Sequence, residues 1–123
     1  MAAMIDYWAR VTARLQDQES ALPGLHRLVA PMLRLVDILR EDPRLASVVP
    51  GLSHLSVTLR VHGIARYVIG EWQDREPWGY AVSFVDPPFE ISGERIVPEA
   101  EVADTIVAYL AQLSHDTASR REG

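Results

Sequence analysis

The sequence has no cysteine, no lysine and no asparagine in its 123 residues. Without cysteine there is no disulfide, no thiolate metal site and no cysteine nucleophile. A cytoplasmic setting fits that absence most simply, because disulfides persist where the compartment is oxidising. Without lysine there is no glycine-rich phosphate loop of the Walker type. All twelve basic residues are arginines. Lysine and asparagine have AT-rich codons, so their joint absence fits a GC-rich bacterial genome better than a functional arginine face. Long apolar runs are missing as well. Asp6, Arg10, Arg14, Asp17 and Glu19 interrupt the first twenty residues, which leaves no signal-peptide core. The stretch from Leu28 to Leu39 is broken by Arg34 and Asp37, short of the roughly 20 apolar residues that a membrane span needs. No membrane association is expected. Positive charge is in deficit: the formal net charge is −5, and such a field repels polyanions, so no nucleic-acid partner is expected.

What is present is the composition of a folded domain: 48% of residues are hydrophobic and 24% charged, outside the range of disordered chains. A chain of this length accommodates one core. The expected organisation is a single domain over residues 1–116, followed by a flexible polar C-terminal tail over residues 117–123.

Met4, Trp8, Val11 and Leu15, with Ile5 and Thr12 one position on, mark one face of an amphipathic helix. Leu22-Pro23-Gly24 ends it. Leu25, Leu28, Val29, Met32, Leu35, Val36 and Leu39 mark a second helix, in which Pro31 predicts a kink or a fresh start. After Asp42-Pro43, Pro50-Gly51 reads as a turn. The period then changes to two: Leu55, Val57, Leu59 and Val61 alternate with Ser56, Thr58 and Arg60, predicting a half-buried strand. His62-Gly63 predicts a hairpin turn into a strand over Ala65 to Trp72. A three-residue loop, which sets Tyr67 and Ile69 beside Leu59 and Val57, is preferred to a two-residue loop that sets Arg66 and Val68 there. Trp78 to Val85 is a third strand, with Tyr80, Val82 and Phe84 on one face. Phe89 to Val97 supplies a fourth piece at the edge. Pro98 opens a last helix with Glu99 and Glu101 in its first turn, where the helix dipole favours acids. Its apolar face is Val102, Ile106, Tyr109, Leu110 and Leu113. The predicted fold is therefore α+β: two N-terminal helices, an antiparallel meander of three to four strands, and a C-terminal helix packed on one sheet face.

Chemistry-bearing patterns are scarce. The histidines at 26, 54, 62 and 115 have no metal-site spacing, so no metal or cofactor is expected and no catalytic residue is assigned. His54 has the most polar neighbours, yet an exposed strand start accounts for it. The run Glu71-Trp72-Gln73-Asp74-Arg75-Glu76-Pro77-Trp78-Gly79-Tyr80 stands out. Aromatic residues flank three acids there, and tryptophan, tyrosine and arginine are the side chains that anchor protein interfaces. Glu71, Trp72, Asp74, Glu76, Trp78 and Tyr80 are therefore the candidate partner-binding residues, facing a protein with a basic surface. The bland alternative is that Trp72 and Trp78 are cross-strand neighbours capping the core. These features predict a small acidic non-enzymatic protein-binding module, of the immunity-protein, antitoxin or adaptor type. The alternative is a small-ligand-binding domain with a pocket between helices and sheet lined by Trp8, His54, Tyr67 and Tyr80. A small enzyme using an unrecognised acid and histidine pair is the third.

Overall fold

The computed structural model describes residues 6–122, with side chains through Thr117. Met4 and Ile5 lie outside the described residues. Two helices, α1 (Tyr7–Ala21) and α2 (His26–Arg40), lead into five strands, β1 (Val49–Ser53), β2 (Ser56–Arg60), β3 (Tyr67–Gln73), β4 (Gly79–Asp86) and β5 (Glu90–Val97), and α3 (Glu99–Glu122) closes the order. The sheet order is β1-β2-β3-β4-β5 and every pairing is antiparallel. The fold is α+β with the helix and strand order that the periodicity predicts.

Asp6 starts α1 by accepting a hydrogen bond from the Ala9 backbone N–H at 3.0 Å, which satisfies one of the orphan donors of the first turn. Val11 and Leu15 are buried, and α1 packs on α2 and β1. In α2, Pro31 lies inside a continuous helix and is buried, so there is no fresh start at that position. The bond it forgoes would have gone to the carbonyl of Arg27, an exposed residue of the first turn, where water can substitute.

The meander has one strand more than predicted, because Pro50-Gly51 is not a turn but the middle of β1. β1 is an edge strand, where a proline lacking its N–H is tolerated. Pro50 faces the core opposite Leu59, and Ser53 pairs with Ser56 around a two-residue turn of His54 and Leu55. The β2–β3 register also differs from both expected alternatives: Leu59 pairs with Val68 and Val57 with Gly70. The connection runs over residues 61–66, with Gly63 at φ +82°, and is longer than a hairpin turn. Val68 and Gly70 therefore face the helices, while Tyr67 and Ile69 face the other way. Gly70 leaves little room for a side chain there. A Cβ would sit 3.3 Å from Leu35 Cδ2 and 3.7 Å from Ile106 Cδ1, where α2 and α3 both press on the sheet.

One core forms between the helices and a single sheet face, including Leu15, Val29, Leu35, Leu39, Val57, Leu59, Val68, Tyr80, Val82, Phe84, Val102 and Ile106. α3 lies over β3, β4 and β5, while α2 lies over β2 and β3. The last residues of α3 continue the helix to Glu122, so the backbone over 117–122 is helical. Among the described residues no helix is long and apolar enough to cross a membrane.

Candidate functional site

The β3–β4 hairpin separates the six candidate residues onto different surfaces. Trp72 pairs with Tyr80 and Glu71 with Ala81, and strand alternation sends the two pairs to opposite faces. Trp72, Trp78 and Tyr80 gather on the helix side. The Trp72 ring meets Tyr80 edge-on at 5.2 Å and lies 6.4 Å from Trp78. Glu71 is exposed on the helix-free side.

Tyr80 is a core residue and cannot touch a partner: it is 0% exposed, and its hydroxyl donates to the Pro31 carbonyl at 2.7 Å. Glu99, which pairs with Arg34 at 2.9 Å, lies 3.5 Å from the same hydroxyl. Burial pushes the Tyr80 phenol up to about 12. Its pKa is raised in the folded state, so its contribution to stability is complete below the ordinary value of 10.0. That contribution is lost as pH rises through the window to about 12. Tyr80→Phe is expected to cost about 1–2 kcal/mol near neutral pH, the value of a buried hydroxyl's hydrogen bond. It should also flatten the decline in stability over that alkaline window. Urea denaturation of both proteins across the pH range measures both effects.

Trp72 is half-buried against the core, and its backbone N–H points at Met32 Sδ, 3.1 Å away. Trp78 differs, at 57% exposed. Asp74 is held by Arg27 at 3.3 Å, so it ties the hairpin to α2. Glu76 and Glu71 are exposed and make no ion pair among the described residues. An open cavity of about 370 Å³ lies beside the hairpin, bordered by Glu71, Asp74, Arg75 and Glu94. The surface that survives from the sequence expectation is thus Trp78 at the rim, with the edge of Trp72 behind it and Glu76 alongside.

The four side chains of the small-ligand alternative do not converge. Tyr67 stands on the helix-free face beneath the Arg60 guanidinium, 3.8 Å from its ring centroid. Tyr80 is inside the core, Trp8 packs at its margin, and His54 is in the β1–β2 turn. His54 is not a strand start: it holds a positive φ of 55°, and its carbonyl accepts from Gln18 Nε2 at 3.0 Å. His26 pairs with Glu19 at 3.0 Å on the surface. Among the described residues no three histidine, aspartate or glutamate side chains group as a metal site.

The helix-free sheet face holds what the sequence did not single out. Phe89 is 79% exposed and Ile91 59%, and they border a shallow depression of about 250 Å³ with Tyr67, Ile69, Val85 and His54. Phe89 follows Asp86-Pro87-Pro88, where chain direction is set by the prolines rather than by apolar burial. An aromatic residue after such a stop, just before an edge strand, was the available signal.

No protein-family model, no curated protein and no solved structure matches this chain.

Proposed function

We propose that the protein is a small non-enzymatic binding module, of the kind that immunity proteins, antitoxins and adaptors represent. It engages another protein through the rim around Trp78. The observation that carries this proposal is the contrast between neighbouring aromatics on one hairpin: Tyr80 is sealed, Trp72 half-buried, and Trp78 57% exposed. Tryptophan is costly to leave in water and is the residue type most enriched in interface hot spots. Glu76 beside it, in a chain of net charge −5, favours a partner with a basic surface and would speed its approach.

Trp78→Ala should therefore leave folding intact and weaken binding. The circular dichroism spectrum and denaturation midpoint are expected to match the wild type closely, as for other exposed positions. Affinity for the partner should fall by about 2 kcal/mol, roughly 30-fold. The partner is obtained by affinity capture with the wild-type protein, identified by mass spectrometry, purified, and titrated against both proteins. Equal affinity of wild type and a folded Trp78→Ala variant removes the rim from the interface. Unfolding of Trp78→Ala makes the residue a core cap instead.

A further inference from the structure

The loop that presents Trp78 is Asp74-Arg75-Glu76-Pro77-Trp78, closed by Gln73 and Gly79, the last pair of the β3–β4 ladder. Hairpin loops commonly take their shape from a hydrogen bond between backbone groups. Among the described residues no such bond lies within this loop. The Gln73 side chain takes its place. Its amide Nε2 donates to the Pro77 carbonyl at 2.6 Å and lies 3.5 Å from the Arg75 carbonyl. Chemistry fixes which end of the amide points there, because its oxygen would face two carbonyls and be repelled by both. The Pro77 carbonyl belongs to the peptide unit that joins Pro77 to Trp78. The planar unit from which Trp78 departs is therefore held directly by Gln73. The loop's other tie is the ion pair of Asp74 with Arg27, whose side chain is 77% exposed, and pairs so exposed contribute little.

We propose that Gln73 is the positioning residue of the Trp78 rim, closing the loop from within so that the indole is held in one orientation before a partner arrives. This inference rests on the binding role given to Trp78 and adds the means by which that residue is kept ready. A tryptophan without such a brace has to be immobilised during binding, and the lost freedom subtracts from affinity. Strand alternation sends the Gln73 side chain to the side of Glu71 and Ala81, with which it borders the open cavity beside the hairpin. Trp78 gathers with Trp72 and Tyr80 on the other side. A partner seated on the rim meets the indole rather than the Gln73 amide, so Gln73 acts through Trp78.

Two substitutions test this. Gln73→Met keeps the length of the side chain and removes the donor. Gln73→Glu keeps the shape and turns acceptors towards the two carbonyls. In NMR relaxation the Trp78 indole N–H should pass from an order parameter of about 0.8 to about 0.6 or below in both variants, the span from ordered to flexible groups. The indoles of Trp8 and Trp72 should keep theirs, and the denaturation midpoint should stay close to the wild type. Affinity for the partner captured with the wild-type protein should fall about fivefold in Gln73→Met. Introduced into Trp78→Ala, the same substitution should change affinity no further, since the residue through which it acts is gone. An unchanged Trp78 order parameter overturns the proposal, as does loosening of all three indoles together. An equal loss of affinity with and without Trp78 overturns it too. If Trp78→Ala binds as tightly as the wild type, the rim reading fails, and the order parameter alone decides whether Gln73 holds the indole.

Discussion

Phe84→Ala is expected to lower the unfolding free energy by about 3–5 kcal/mol, a large share of the total stability of a domain this size. Phe84 is 6% exposed and stacks on Tyr109 with ring centroids 4.5 Å apart. The Arg66 guanidinium covers it at 4.2 Å from the ring centroid. Arg66 is itself held in place by Asp86 at 3.1 Å and Asp116 at 3.3 Å. The Asp86 contact is an ion pair rather than an aligned hydrogen bond, since Arg66 Nε has no hydrogen-bond partner. Beneath the ring lies Gly93 at φ +65°, where a Cβ would come within 3.0 Å of Phe84 Cδ2. Removing the ring therefore empties the junction of β4, β5 and α3 together, and collapse is resisted on three sides. The Tyr109 hydroxyl, which donates to the Gly93 carbonyl, loses the surface that positions it. The denaturation midpoint measures the loss. An unchanged midpoint would mean that Phe84 does not pack between the sheet and α3.

Gly79→Ala is expected to cost about 1–3 kcal/mol by overpacking. Gly79 opens β4 beside the end of β5, and an added Cβ would sit 2.6 Å from the Val97 carbonyl oxygen and 3.1 Å from its carbonyl carbon. Both atoms belong to the backbone, so no side-chain rotation relieves the clash. β5 has to move away just before Pro98 and Glu99 begin α3. The salt bridge from Glu99 to Arg34 and its contact with Tyr80 start from that point. Gly24→Ala is the matched control, because nothing lies within 4 Å of its added Cβ. It should change stability by no more than about 0.5 kcal/mol, as surface substitutions do. Equal midpoints for the two variants would show that β5 yields to the methyl group without cost.

The helices are legible in the sequence because their apolar positions recur at three and four residues and nothing else in the chain competes with that period. β1 is not legible. Pro50-Gly51 carries the local signature of a turn, and only its place at the edge of the sheet makes it a strand. The β2–β3 register is hidden for a related reason. Tyr67 and Ile69 are as apolar as Val68, and glycine at 70 carries no hydrophobic signal at all. The observed register places Gly70 under Leu35 and Ile106, a contact across three elements far apart in sequence. In the candidate site the alternation of Tyr80 with Val82 and Phe84 already pointed inward, and burial decides that residue in favour of the core. The exposure of Trp78 follows from its position one residue before β4 begins, which periodicity cannot locate.

Strand order that follows chain order has a kinetic consequence. Each hairpin can close with only its own turn to organise, so little loop entropy opposes the pairing of any two strands, and topologies of this kind fold comparatively fast. α3 is different. It must be in place before β3 and β4 are covered, yet it follows both in the chain. During synthesis Val68, Val82 and Phe84 therefore leave the ribosome before Val102, Ile106 and Leu110 can shield them. In that interval the paired but uncovered meander is the species most exposed to aggregation and most in need of a chaperone.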